Sequence, residues 1–173
     1  AGFLLVYADI LFDPAILGRL INSGKDVVLA IDNSYSYHKH EIDKKLDLVV
    51  TKKRFDAYYR RLQPSQATEI VRVGKEIEAE VADYEFIGLA YFSQQGAEAL
   101  RQVYERCAGV GPTPFHEAAD FHRASITDII QEMIDTGFSV HGHEVNKGWM
   151  EIHSPGDVEV AEREIKAVPS GVS

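Results

Sequence analysis

The chain has one cysteine, Cys107, which excludes an internal disulfide framework and a C-x-x-C zinc site. It falls in a helical stretch and reads as a packed or partly exposed helix residue. No apolar run reaches the ~18 residues of a membrane span and no basic-then-apolar leader is visible, so a cytoplasmic location is expected. Basic charge is also in short supply. Lys and Arg number 18 against 27 Asp and Glu, a formal net charge of −9. This excludes a non-specific binder of nucleic acid or anionic membrane, which needs a basic surface to displace counterions. The motifs G-x-x-x-x-G-K-[ST], G-x-G-x-x-G and G-x-S-x-G are all missing. Any nucleotide phosphates would therefore be held by a glycine-rich loop upstream of Ala1, and there is no nucleophile elbow.

What is present describes one globular domain: 173 residues, 45% hydrophobic and 26% charged. Residues 3–8 form a continuous apolar run, Asp13-Pro14 offers an N-cap and a first-turn proline, and Ile16, Leu17, Leu20 and Ile21 recur at helical spacing before Ser23-Gly24. Residues 27–31 form a second apolar run. The strand-helix-strand unit predicts an α/β fold with a mixed, mostly parallel sheet flanked by helices.

Residues 33–53 read as a polar excursion with a strand at 46–50, and 55–62 as a short aromatic-rich segment broken by Pro64. Residues 70–73 and 77–81 alternate like a hairpin around Gly74. A buried strand follows at 85–93, in which Gly88 predicts a close approach of backbone or ligand. Ser93 caps a helix to residue 108 with Ala97, Leu100, Val103, Tyr104 and Cys107 inward. The spacing predicts a second helix over 121–136, ended by Gly137, then an edge strand at 138–145 and a short strand at 149–153. Ser154, Pro155 and Asp157 start a last helix to residue 168. The domain spans 1–168, with 169–173 a flexible tail.

Two strand ends carry acids. An ionised carboxylate inside a packed strand costs several kcal/mol unless it is paired or binds a metal, so Asp9 should lie where its strand leaves the core. Glu151 ends Trp149-Met-Glu. In open α/β sheets ligands bind beyond the carboxyl ends of strands, where two carboxylates can share a hard divalent cation. Equally, Asp9 can cap a turn and Glu151 pair with a surface lysine. His38-Lys-His40 and His141-Gly-His143 each place two imidazoles on one face, but no third ligand follows at a zinc spacing.

Tyr7-Ala-Asp-Ile-Leu-Phe-Asp-Pro, Glu85-Phe-Ile-Gly-Leu-Ala, Pro114-Phe115, Ile126-Thr-Asp-Ile-Ile-Gln and Gly148-Trp-Met-Glu-Ile-His-Ser together resemble the nucleotidyltransferase family with the glycosyltransferase-A-like fold. The similarity is greatest to phosphocholine and phosphonate cytidylyltransferases, including those fused to phosphoenolpyruvate mutase. It runs over nearly the whole chain and implies the carboxy-terminal portion of such a domain, the amino-terminal part with its glycine-rich loop being missing.

By position, the resemblance makes Asp9 and Glu151 the catalytic Mg²⁺ ligands. His153 stands where many relatives have an aspartate. Either the site uses Asp9 and Glu151 alone, or His153 serves the substrate or a softer ion such as Mn²⁺. Glu85, Thr127 and Asp128 match acceptor-side positions, Asp128 being equally readable as a structural acid. Lys75, Arg123 and Lys147 are candidate acceptor anchors. The implied reaction transfers CMP from CTP to a small phosphonate or phosphocholine-like acceptor and releases pyrophosphate. A phosphoenolpyruvate mutase domain is the implied fused or associated partner, and homo-oligomerisation is left open. The alternatives are a sugar-1-phosphate nucleotidyltransferase and a non-catalytic, degenerate domain assisting a fused partner.

Overall fold

The computed structural model describes residues 1–37, 45–53 and 67–167. In chain order these form β1 (Phe3–Val6), β2 (Ile10–Phe12), α1 (Pro14–Ile21), β3 (Val27–Asp32), β4 (Leu48–Thr51), β5 (Thr68–Gly74), β6 (Tyr84–Phe92), α2 (Gln94–Ala108), α3 (Ile126–Asp135), β7 (His141–Val145), β8 (Trp149–Glu151) and α4 (Pro155–Ala167). Single 3₁₀ turns lie at Ser34–Tyr37 and Phe121–Arg123. The expectations for His38 and His40, for residues 55–62 and for the tail at 169–173 fall outside the described residues.

Six strands make one sheet in the order β1-β6-β3-β7-β5-β4, and β4 also bonds to β6. The hydrogen-bonding path from β6 through β3, β7, β5 and β4 thus returns to β6, and β1 takes the rest of the edge that β4 reaches, opposite Leu89–Phe92. The side chains of β3 alternate across the sheet, as the strand period requires. Val27, Leu29 and Ile31 pack with Val103, Cys107, Ile130 and Met133 on the α2/α3 side. Val28 and Ala30 pack with Ile16 and Leu20 of α1 on the other.

The helices start where the chain supplies caps. Asp13 accepts from the Ala15 amide at 2.8 Å, Ser93 accepts from Gln95 and Gly96, and Ser125 and Asp128 form a reciprocal capping box. No described helix is long and apolar enough to cross a membrane.

The mixed sheet flanked by helices matches expectation, but its parallel share is smaller. Only β3 and β7 are neighbours in parallel; the other pairings are antiparallel. β1 and β3 do run the same way, as a strand-helix-strand unit demands, yet β6 is inserted antiparallel between them.

Local corrections follow from tertiary pairing. Residues 77–81 are not a strand: β5 pairs with β4 and β7 instead, and Ile77 turns into a small cluster with Tyr35 and Leu48. β7 is interior, between β3 and β5. The helix expected over 121–136 starts only at Ile126, because Ser125 is its cap. Tyr104 is 53% exposed instead of inward. β2, too short to signal itself, exists through its pairing with β8.

Candidate functional site

β1, β3 and β7 end on the same side of the sheet, where β6 and β4 begin. Register shows it: Asp32 of β3 opposes both Glu85 and Val145, and Leu48 also opposes Glu85. Two acidic clusters form there.

The outer cluster rests on the β2/β8 ribbon. Ile10 opposes Glu151, and the Ile152 amide donates to the Asp9 carbonyl at 2.7 Å. This brings Asp9, Glu151 and His153 together. His153 Nε2 is 3.1 Å from Glu151 Oε2 and its Nδ1 is 4.0 Å from Asp9 Oδ2. All three side chains reach solvent, at 48% for Asp9, 25% for Glu151 and 38% for His153.

The ribbon is anchored on both sides. Trp149 Nε1 donates to buried Asp32 at 2.6 Å, and the amides of His153 and Ser154 donate to Asp157 at the start of α4. Two accessible carboxylates thus flank one imidazole, with Glu151 the nearer to it. The His153 imidazole occupies the space between them and adds a softer donor.

The inner cluster was not singled out from sequence. Asp47, directly before β4, is buried. It accepts from the Tyr7 hydroxyl at 3.2 Å and from Thr127 Oγ1 at 3.4 Å, with Lys75 Nζ 4.0 Å away. Burial pushes its carboxyl above the ordinary aspartate value, against the pull of Lys75, Tyr7 and Thr127. Burial likewise pushes the Tyr7 hydroxyl far up, followed by the charges of Asp47 and Asp9. Tyr7 is seated by Gly88, whose φ is +78° and whose missing Cβ would lie 2.3 Å from the Tyr7 ring. The close approach expected at Gly88 is therefore that of Tyr7. An acid immediately preceding an apolar strand was the available signal for Asp47, and it was weaker than at Asp9 because the surrounding segment is polar.

The remaining candidates divide. Lys75 joins the inner cluster. Its amide and that of Glu76 are held by the Glu117 carboxylate at 2.6 and 2.9 Å. Glu85 is buried at the start of β6, beside Tyr35, whose hydroxyl is pushed up by burial and then by Asp83 and Glu85.

Asp128 makes structural hydrogen bonds. Its oxygens accept from the Glu117 amide at 3.0 Å and the Ser125 amide at 2.7 Å, capping α3 and pinning the preceding loop. Arg123 points outward, 77% exposed, toward Asp120 at 3.7 Å. Lys147 lies in the β7–β8 turn with φ +65°. His141 and His143 share a face of β7 and are held below the ordinary histidine value, mainly by burial. No described acid or imidazole completes a metal set with them.

Comparison with solved structures places this architecture. At 20% identity the chain superposes on the inositol-1-phosphate CTP transferase from T. maritima with a TM-score of 0.59, covering 99% of this chain and 58% of that one. The UTP-bound UGPase from Acinetobacter baumannii gives 0.62 at 13% identity, covering 98% and 52%. The nucleoside-diphosphate-sugar pyrophosphorylase from Vibrio cholerae RC9 gives 0.56 at 14% identity, covering 94% and 56%. The chain has a nucleotidyltransferase-like fold. It spans a little over half the length of these structures. No protein-family model matches the sequence and no curated protein is significantly similar to it.

Proposed function

We propose that this chain is the acceptor- and metal-binding portion of a nucleotidyltransferase that transfers CMP from CTP to a small phosphonate or phosphocholine-like acceptor with release of pyrophosphate. The observation that carries the reading is the convergence of Asp9, Glu151 and His153 beyond the carboxyl end of β1. The length of the similar structures and the exposed apolar side chains of β1, Phe3, Leu4 and Val6, support further chain lying against β1 and supplying the triphosphate loop.

Asp9 and Glu151 would hold Mg²⁺ or Mn²⁺, with His153 as a third donor or a substrate contact. When bound, the ion supplies charge neutralisation at the phosphates. The attacking group needs little help from the protein, since a phosphate monoester with a second pKa near ~6 is already ionised at neutral pH. The chain's own task is positioning. Lys75 suits the acceptor's anionic end. Asp47, with the Tyr7 ring beside it, suits a cationic end such as an amine or trimethylammonium. A phosphonate acceptor would go with fusion to, or association with, a phosphoenolpyruvate mutase domain, which rests on sequence resemblance.

A sugar-1-phosphate acceptor is the second reading, favoured by the pyrophosphorylase and UGPase among the similar structures. Pyrophosphate release by the complete protein, assayed with each nucleoside triphosphate against 2-aminoethylphosphonate, phosphocholine and sugar 1-phosphates, separates the two. Asp9→Asn should lower turnover about a hundredfold or more. Turnover near the wild-type rate would remove the metal assignment, and no turnover with any pair would favour a degenerate, non-catalytic domain.

A further inference from the structure

Away from both clusters, three potential metal ligands meet where the loop before α3 crosses the far end of that helix. Glu132 and Asp135 are three residues apart and share one helix face, about 8 and about 12 Å along the axis from Thr127 at the inner cluster. His116 lies over them: its Nε2 is 2.9 Å from Glu132 Oε2 and its Nδ1 4.0 Å from Asp135 Oδ2. One ligand atom from each residue lies within 4.8 Å of the other two.

The surroundings orient these groups. Arg106 holds the other oxygen of Glu132 at 2.8 Å, and Gln131 Nε2 holds the other oxygen of Asp135 at 2.8 Å. Each carboxylate thus keeps one oxygen facing the imidazole. Such outer contacts aim ligands and sustain metal affinity. The loop is equally fixed. Phe115 and Ala118 exchange backbone hydrogen bonds, and His116 is held at φ +49° with its side chain only 18% exposed. Beside the triad lies a surface cavity of about 380 Å³, lined in part by His116, Asp135 and Arg72.

We infer that His116, Glu132 and Asp135 form a second metal site, taking one divalent transition ion of the zinc class. One imidazole and two carboxylates with open positions suit Zn²⁺ or Co²⁺, whereas Mg²⁺ is poorly served by a nitrogen donor. The ion would tie the loop to α3. Because Glu117, next to His116, holds the Lys75 and Glu76 amides, occupancy would also stiffen the segment that carries Lys75 to Asp47.

Titration of the intact chain with Co²⁺, read by its visible ligand-field bands, tests the site. In the doubly substituted Asp9→Asn, Glu151→Gln chain, which removes the outer carboxylates, one Co²⁺ per chain should bind and be displaced by Zn²⁺. His116→Asn, chosen because asparagine tolerates positive φ, should weaken binding at least about tenfold. Glu132→Gln and Asp135→Asn should do the same in that background. No Co²⁺ uptake would overturn the inference. So would uptake unchanged in folded Glu132→Gln and Asp135→Asn chains, or uptake lost with Asp9 and Glu151. Far-UV circular dichroism establishes folding in each variant, and if His116→Asn does not fold, the two carboxylate variants decide.

Discussion

Asp9 and Asp47 are both aspartates at the active end of the sheet, yet they live in opposite surroundings. Asp9 faces solvent with an imidazole and a second carboxylate nearby, whereas Asp47 is buried beneath two hydroxyls with one ammonium at 4.0 Å. An exposed carboxylate keeps its charge at little cost and can exchange partners, which suits a group that must take and release ions. A buried one is costly to ionise and is repaid only by a well-fitted cationic partner. The same residue type thus sits in a wet, open cluster and in a dry, enclosed one, 38 positions apart in the chain.

If the two regions are separable, substitutions should disturb them one at a time. Gly88→Ala should have the largest effect. A positive φ and a Cβ 2.3 Å from the Tyr7 ring should cost about 3 kcal/mol or more in urea unfolding. It should displace Tyr7 while Mn²⁺ binding at Asp9 and Glu151, read by electron paramagnetic resonance, persists. Equal loss at both sites would break the comparison.

Trp149→Phe is the reciprocal experiment. It leaves the buried Asp32 carboxylate without its 2.6 Å indole donor, a loss of about 1.5–3 kcal/mol in denaturant unfolding. Mn²⁺ affinity should fall because β8 carries Glu151, while Tyr7 should stay seated against Gly88, read by near-ultraviolet circular dichroism. His153→Asp sharpens the outer site: a third carboxylate should raise Mg²⁺ affinity roughly tenfold, measured by calorimetry, and an unchanged affinity would place the 153 side chain outside the ion's reach.

Asp47→Asn should have the smallest effect, and a distinctive sign. Because the folded carboxyl titrates above its unfolded value, the native state holds a proton that the unfolded chain has released. Stability therefore falls as pH rises from the unfolded value through the folded one. The amide removes that loss, so Asp47→Asn should be more stable than the parent at neutral pH, by less than about 1 kcal/mol. The difference should vanish below the ordinary aspartate pKa of ~3.9. A variant less stable at neutral pH would show that Lys75 outweighs burial.

The sequence disclosed what depends on neighbours in the chain. Caps at Asp13, Ser93 and Ser154 and the apolar runs of β3 and β6 located helices and strands, and Glu151 marked a strand end; Asp9 lies instead in the turn between β1, which stops at Val6, and β2. Sequence could not disclose what depends on distant partners. β2 has three residues and exists because β8 pairs with it. β7 looked like an edge because Gly142 and two histidines dilute its apolar pattern, although β3 and β5 flank it. Asp128 resembles an acceptor residue and a structural acid equally well in sequence, and only the folded chain shows the Ser125 and Glu117 amides on it. Asp47 was hidden because Tyr7, Lys75 and Thr127 reach it from three separate parts of the chain.

The place of β6 in the sheet has a consequence in time. Phe3 pairs with Phe92 and Val27 with the same residue, so two early strands share a late partner. At synthesis rates of about 5–20 residues per second, β1 waits several seconds after emerging before its partner exists. Through that interval the β6 edge it pairs with in the sheet is missing. Pairing across such separations is also slow in refolding, since loop closure must precede any gain from contact. The inner cluster cannot begin to form before β6, since Tyr7 finds its seat only when Gly88 arrives, and the outer one waits longer still, for β8.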